Sequence, residues 1–332
     1  MQTLQFVLLQ MDEAARHARD GRLPQLRIAL LLLDNAVEVL LHRWAEGELI
    51  HDAMTRRLHE NAKRWMAPDS FLEAFDISGL LPPNDEHKVL RFFDRLLSYA
   101  VRKKVIEPEI ADALSHLHRY RNEAYHRAKV RDATIRTSVT LLFDIAARLV
   151  LADIINMCIY SSGEDYTWLS QRFAMSPREL FPTDQVRRTA VSELRAGLPE
   201  DAMNIPEAMA IHLDSRIEQL FDALDFISES ARPPITRAEA LSHACGFIVS
   251  KQSDAELRDR TPRGFTGDIS LRTTDRVREA ANLIRVQTDM IAAFRGFAAA
   301  EAQLEHLEFA AFAFAAAVES MIQQEIDILR GK

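Results

Sequence analysis

The stretch "LRIALLLLDNAVEVLLHRWAEGE", Leu26 to Glu48, constrains the fold more than any other. Wound as an α-helix, it carries apolar side chains around nearly its whole circumference. Such a helix has no water-facing side and must lie at the centre of a bundle. Its longest apolar run, Ile28 to Leu33, is six residues. A membrane span needs roughly 20. The opening "MQTLQFVLLQMDEAARHARDGR" has no basic region ahead of its apolar run, so it does not read as a secretory leader. The expectation is a soluble, cytoplasmic helical protein.

The rest of the chain agrees with that class. It has 332 residues with only 10 Gly and 12 Pro, too few breakers for a turn-rich β fold. Leu4, Val7, Leu8 and Met11 give the first 20 residues a helical spacing, ended by Gly21 and Pro24. Gly47 is expected to weaken or end the central helix. "HDAMTRRLHENAKRW" then reads as a separate helix closed by Pro68. Asn84 or Asp85 can cap one continuous helix through "EHKVLRFFDRLLSYAVRKK". Pro108, flanked by Glu107 and Glu109, marks the start of the helix "IADALSHLHRYRNEAYH", with Ile110, Leu114 and Leu117 as its core stripe. A strongly apolar helix follows, up to Tyr160, and "SSGEDY" reads as a boundary. Further helices are expected near 184–197, 205–229 and 236–251. An Ala-rich helical region runs from about Thr274 to the end, broken near Gly296. No strand or repeat stands out. The predicted architecture is all-α, with one helical domain over 1–160 and a second over 161–332.

Charge separates the same two halves. Residues 1–160 carry 22 Lys+Arg and 22 Asp+Glu, so the whole net −8 falls in 161–332. A net acidic chain is a poor general nucleic-acid binder, and a DNA-binding regulator is disfavoured. Any RNA contact must be local. The stretch Leu117 to Arg136 qualifies, with six Arg/Lys against two acids. Two distant cysteines, Cys158 and Cys245, exclude a disulfide framework and a CxxC metal pair, and suit a reducing compartment.

Within that basic stretch lies Arg121-Asn122-Glu123-Ala124-Tyr125-His126. The residue types suit metal-free RNA cleavage. Attack of a 2′-OH on its own phosphate needs a group that moves a proton near neutral pH, which imidazole does. The charge gathering on the phosphoryl oxygens needs a fixed cation, and a guanidinium matches phosphate with forked donors. Asn122 can orient Arg121. Positions five apart on a helix lie about 140° apart around its axis, so one helix does not aim Arg121 and His126 at one point. Two facing copies would.

The hexad resembles the R-[N/D/H]-x3-H motif of the HEPN superfamily, helical ribonuclease and nucleotide-binding domains of many toxins and defence proteins. Residues 1–160 are similar to the HEPN layout: a buried early helix, a variable middle, a helix ending in the motif, and an apolar helix after it. The C-terminal half resembles no known family. The resemblance implies a homodimer with a composite site, metal-independent endoribonuclease activity and 2′,3′-cyclic phosphate ends. It implies catalytic roles for Arg121, His126 and Asn122, no cofactor and no metal, and a toxin or abortive-infection setting with an antitoxin or sensor partner. The tyrosine that some of these toxins carry two residues after the histidine is Ala128 here. Tyr125 can stack a base or simply pack. Arg119, Arg127, Lys129 and Arg131, and further on Arg136, can hold the RNA backbone or form a solvated face. The alternative is a catalytically silent HEPN-like module that binds a protein or nucleotide.

Asp34, Asn35 and Glu38 interrupt the central helix, and a buried acid needs a cationic partner. Glu38 or Asp34 can pair with Arg121 and orient it, or form an unrelated structural ion pair. His116 and His118 are two apart and diverge on a helix, which is poor metal spacing. Cys245 beside His243 reads as a buried thiol rather than a nucleophile. "RGFTGD" lacks the Lys-Ser/Thr of a phosphate loop. Phe294, Phe297, Phe309, Phe312 and Phe314, set among alanines, fit a core or an interaction surface.

Overall fold

The structure is a computed structural model that describes residues 2–65, 72, 77, 79–126, 132–154, 167–174, 183–198, 205–251, 261–262, 265–267 and 269–330. Among these residues there are twelve helices and no strand. The chain falls into two units, Met1–Met203 and Asn204–Lys332. The division comes later than the boundary expected at residue 160.

In the first unit, α1 (Gln2–Asp20) and α2 (Leu23–Arg64) are joined by a two-residue turn. Gly21 sits there at φ +71°, a conformation that costs glycine nothing and a β-carbon-bearing residue about 1 kcal/mol. Pro24 falls in the first turn of α2, where a missing N–H is harmless. α2 is the central element: it packs on α1 and on α3 (Pro83–Arg91), α4 (Phe93–Arg102), α5 (Pro108–His126) and α6 (Asp132–Leu151). Its buried residues recur at helical spacing from Leu26 through Leu30, Leu33, Val37, Leu40, Leu41 and Trp44 to Leu49. α7 (Thr167–Arg172) and α8 (Thr183–Ala196) follow, and α8 packs on α1 and α6. That packing is why the unit extends past residue 160.

Four sequence expectations are corrected here. Gly47 does not end the central helix, which runs unbroken to Arg64. A mid-helix glycine costs about 1 kcal/mol. Trp44 and Leu49, buried on either side, each contribute about 1.5–3 kcal/mol and outweigh it. The expected continuous helix after residue 84 is broken at Phe92, whose backbone is extended (φ −121°, ψ 120°). The expected cap position is displaced: α3 begins at Pro83 behind Pro82, which offers no side-chain cap, and Asp85 lies inside its first turn. Gly296 does not break the last helix, which runs unbroken from Met290 to Leu329.

The second unit holds α9 (Ile205–Ser230), α10 (Arg237–Ser250), α11 (Arg272–Arg285) and α12 (Met290–Leu329). α9 packs on the other three, and α12 does likewise. Thr236 and Glu239 form a reciprocal capping box at the start of α10. Asp289 caps α12 through the amides of Ile291 and Ala292. Phe294 and Phe297 are core residues, whereas Phe312 is exposed. Cys245 is buried, its thiol pushed up by that burial. Among the described residues no helix is long and apolar enough to cross a membrane.

Candidate functional site

The site is assembled by three helices around one buried carboxylate. On α2, Asp34 and Glu38 stand four residues apart and therefore share a face. On α5, Ala113, Leu114 and Leu117 are buried, and Ile110 is only half-buried. His118 and Arg121 are three apart on that helix, about 60° around its axis, so they face α2 together. Phe93, the first residue of α4, stacks on the His118 ring with centroids 4.4 Å apart.

Asp34, whose side chain is 2% exposed, is the hub. Its Oδ2 accepts from Arg121 Nε at 2.6 Å, and His118 Nδ1 lies 3.1 Å from the same oxygen and 3.2 Å from Oδ1. Arg121 Nη2 donates to Glu38 Oε2 at 3.2 Å, and Nη1 donates to Asn122 Oδ1 at 2.8 Å. Three of the five guanidinium N–H groups are thus engaged. The rim is open: the side chains of Arg121, His118 and Glu38 are 21%, 20% and 25% exposed. Burial, and next the charge of Asp34, pushes the Glu38 carboxyl above its ordinary value. His118 and Arg121 pull the other way. Local charge is close to balanced, with two carboxylates facing one guanidinium and one titratable imidazole.

Asp34, Glu38 and His118 bring one ligand-type atom each within 4.8 Å of one another, and so do Glu48, His51 and Asp52. In both groups a side-chain cation already meets the acids. Arg121 serves the first, and Lys103 the second, at 2.5 Å from Asp52 Oδ1. Tyr99 donates to Asp52 Oδ2 at 2.8 Å, and burial and that bond hold its phenol well above its usual range. Both groups are read as ion-pair networks.

The remaining sequence candidates distribute as follows. Asn122 touches Arg121 directly. Arg119 is exposed and directed elsewhere, its Nη2 3.1 Å from His116 Nδ1 and its guanidinium over the Tyr120 ring. Burial and the Arg119 charge lower His116. Arg136 donates to the carbonyl of Gly21. Tyr125 and His126 belong to the last turn of α5, and their side chains lie outside the described residues, as do Arg127, Lys129 and Arg131. A groove along the α4–α5 seam is lined by Asp94, Leu97, Ser98, Ala111 and Ser115. Ser115, the last α5 residue lining it, stands one helical turn before His118.

The residue that sequence reasoning missed is His118. Attention to histidines following an arginine, and to i,i+4 metal spacing, passed over a histidine three before Arg121. That i,i+3 relation was the available signal. Comparison with known proteins finds no matching family model, no matching curated protein and no matching solved structure.

Proposed function

We propose that the chain is a metal-independent endoribonuclease of the HEPN type, acting as a toxin or antiphage effector on RNA in the cytoplasm. The observation that carries this reading is the preparation of Arg121 within its R-N-x3-H hexad. A buried carboxylate fixes its Nε, Asn122 steadies one terminal nitrogen, and the guanidinium still reaches the surface. Among the described residues, two of its N–H donors remain for a phosphate. Arg121 supplies the cation for the developing phosphoryl charge, Asn122 and Glu38 set its orientation, and His126 moves the proton. A homodimer brings the histidine of one copy to the arginine of the other, which meets the 140° problem. Tyr125 stacks a base, and Arg119, Arg127, Lys129 and Arg131 hold the backbone. The acidic second unit restrains or assembles the enzyme, or receives a sensor or antitoxin protein.

The test is cleavage of a labelled oligoribonucleotide in EDTA. The full chain cuts and leaves 2′,3′-cyclic phosphate ends. Arg121→Ala, confirmed folded by its unfolding curve, cuts at least about 10²-fold more slowly, the usual cost of removing a fixed oxyanion donor. Equal rates for the two proteins sink the assignment.

A second reading has an observation of its own. Asp34 and Glu38 already neutralise Arg121, which weakens its pull on a phosphate. This favours a catalytically silent HEPN-like module that binds a partner protein or nucleotide. Expression separates the two: a nuclease slows growth and Arg121→Ala relieves it, whereas the silent module is harmless in both forms.

A further inference from the structure

We propose that His118, oriented by Asp34, is a catalytic acid–base group of the Arg121 site. This rests on the ribonuclease reading and changes its chemistry, because it puts a proton-transfer group and the phosphate-binding cation on one copy of the chain.

The argument is geometric. His118 and Arg121 sit on one face of α5 and meet the same oxygen of a carboxylate that is almost fully buried. Asp34 accepts the Nδ1–H, and this selects the tautomer with a lone pair on Nε2. Among the described residues Nε2 has no hydrogen-bond partner, and the ring is partly exposed. Phe93 stacked on the ring fixes its plane. A carboxylate, an imidazole held by one nitrogen, and a free second nitrogen beside a phosphate-binding group form an oriented general base. The charged groups facing the imidazole are Asp34 and Glu38 on α2 and Arg121 on its own helix. α4 contributes the uncharged Phe93.

The step balances without a further reagent. Neutral Nε2 takes the proton of the 2′-OH. The O2′–P bond forms while the P–O5′ bond breaks. Arg121 holds the non-bridging oxygens, the 5′-oxygen takes a proton from solvent, and the imidazolium returns its proton to solvent. The products are a 2′,3′-cyclic phosphate and a 5′-hydroxyl. Asp34 is a positioning residue in this scheme, since it acts only through the imidazole and the guanidinium.

The experiment measures kcat and KM in EDTA on one labelled oligoribonucleotide for the wild-type full chain, His118→Ala, His118→Asn, Asp34→Asn and His126→Ala. His118→Ala is expected to lose roughly 10²–10⁴-fold in kcat with little change in KM. Added imidazole is expected to restore part of that rate, a response that a structural role does not produce. His118→Asn keeps a donor toward Asp34 but has no basic nitrogen. It is expected to melt like wild type and remain inactive. Asp34→Asn can present an N–H to Nδ1, which moves the ring proton to Nε2, and it is expected to lose kcat comparably. If His118→Ala cuts at the wild-type rate while His126→Ala does not, the inference is overturned and the nuclease reading stands. Loss in His118→Ala that imidazole does not restore, at unchanged melting, also overturns the acid–base role. No cleavage by the wild-type chain removes the nuclease reading itself, and the inference with it.

Discussion

Arg216 in the second unit and Arg121 in the first each grip two carboxylates on a single neighbouring helix, as the more exposed Arg285 also does with Glu207 and Asp214, and the Arg216 and Arg121 arrangements differ in how they are closed. Arg216 of α9 makes a two-pronged pair with Glu308, Nε to Oε1 at 2.8 Å and Nη2 to Oε2 at 2.7 Å, and its Nη1 reaches Glu301. The Arg216 side chain is 4% exposed, and its acids are scarcely more so. Arg121 of α5 takes one oxygen from Asp34 and one from Glu38, keeps two donors unengaged among the described residues, and lies beside a histidine that shares the buried acid. A sealed triad of charges organises a core. An unsaturated one at a surface can still bind or exchange protons. The contrast gives the Arg121 network a functional reading and the Arg216 network a structural one.

The strongest way to break this comparison is Arg216→Ala. It removes the Arg216 guanidinium from two buried carboxylates, and the expected loss is about 3–5 kcal/mol in the stability of the second unit, read by denaturant unfolding of the full chain. A loss under about 1 kcal/mol would mean that the triad is hydrated and that its closure has been misjudged. Asp34→Ala comes next. It removes the acceptor for Arg121 and His118, but both of those groups reach solvent and can be rehydrated. The expected cost is about 1–3 kcal/mol, smaller than at Arg216. A larger loss than Arg216→Ala causes would invert the assignment of which network is the structural one.

How much of this was legible in the sequence depends on the scale of the interaction. The central helix was legible because "ALLLLDNAVEVLL" leaves no water-facing side, and α2 is the element on which the first unit packs. The all-α class followed from scarce breakers and helical spacing. Individual breaks were less legible. Gly47 carries a local penalty that its buried neighbours override, and Phe92 breaks a helix with neither glycine nor proline to mark it. The division at Met203 rests on the contact of α8 with α1 and α6, which joins residues far apart in sequence. At the site, the pairing of Arg121 with Asp34 and Glu38 was legible from an elementary need: an acid on a buried helix requires a cation. The place of His118 was not, because it depends on which face of α5 meets α2. The expected proton carrier, His126, stands on a different face of that helix by spacing alone.

Arg121→Lys sharpens the contrast at a smaller scale. Lysine retains the charge but lacks the planar fork, so it cannot meet Asp34, Glu38 and Asn122 together. Because the site is partly exposed, the stability cost is expected to stay below about 1 kcal/mol. Arg216→Lys breaks a buried two-pronged pair and is expected to cost clearly more in the same assay. Equal costs would erase the distinction between the open and the closed network.

The smallest expected effect concerns pH and tests whether Glu38 is the strained member of the open network. Burial first, and the Asp34 charge second, raise its carboxyl above the ordinary glutamate value of 4.5. An acid raised on folding holds more protons in the folded than in the unfolded state between those two values. Its contribution therefore turns unfavourable as pH climbs above about 4.5, and is fully unfavourable beyond the raised value. Glu38→Gln removes the titration while leaving an oxygen to accept from Arg121. The variant should match wild type near pH 4 and gain on it as pH rises toward neutrality, in paired unfolding curves across that range. The sealed triad offers the control, because Glu301→Gln removes a charge that Arg216 already satisfies and is expected to show no such gain. If Glu38→Gln instead falls behind wild type as pH rises, the carboxylate is stabilised by Arg121 rather than strained by Asp34. The network at Arg121 would then resemble the one at Arg216 in energetics as well as in composition.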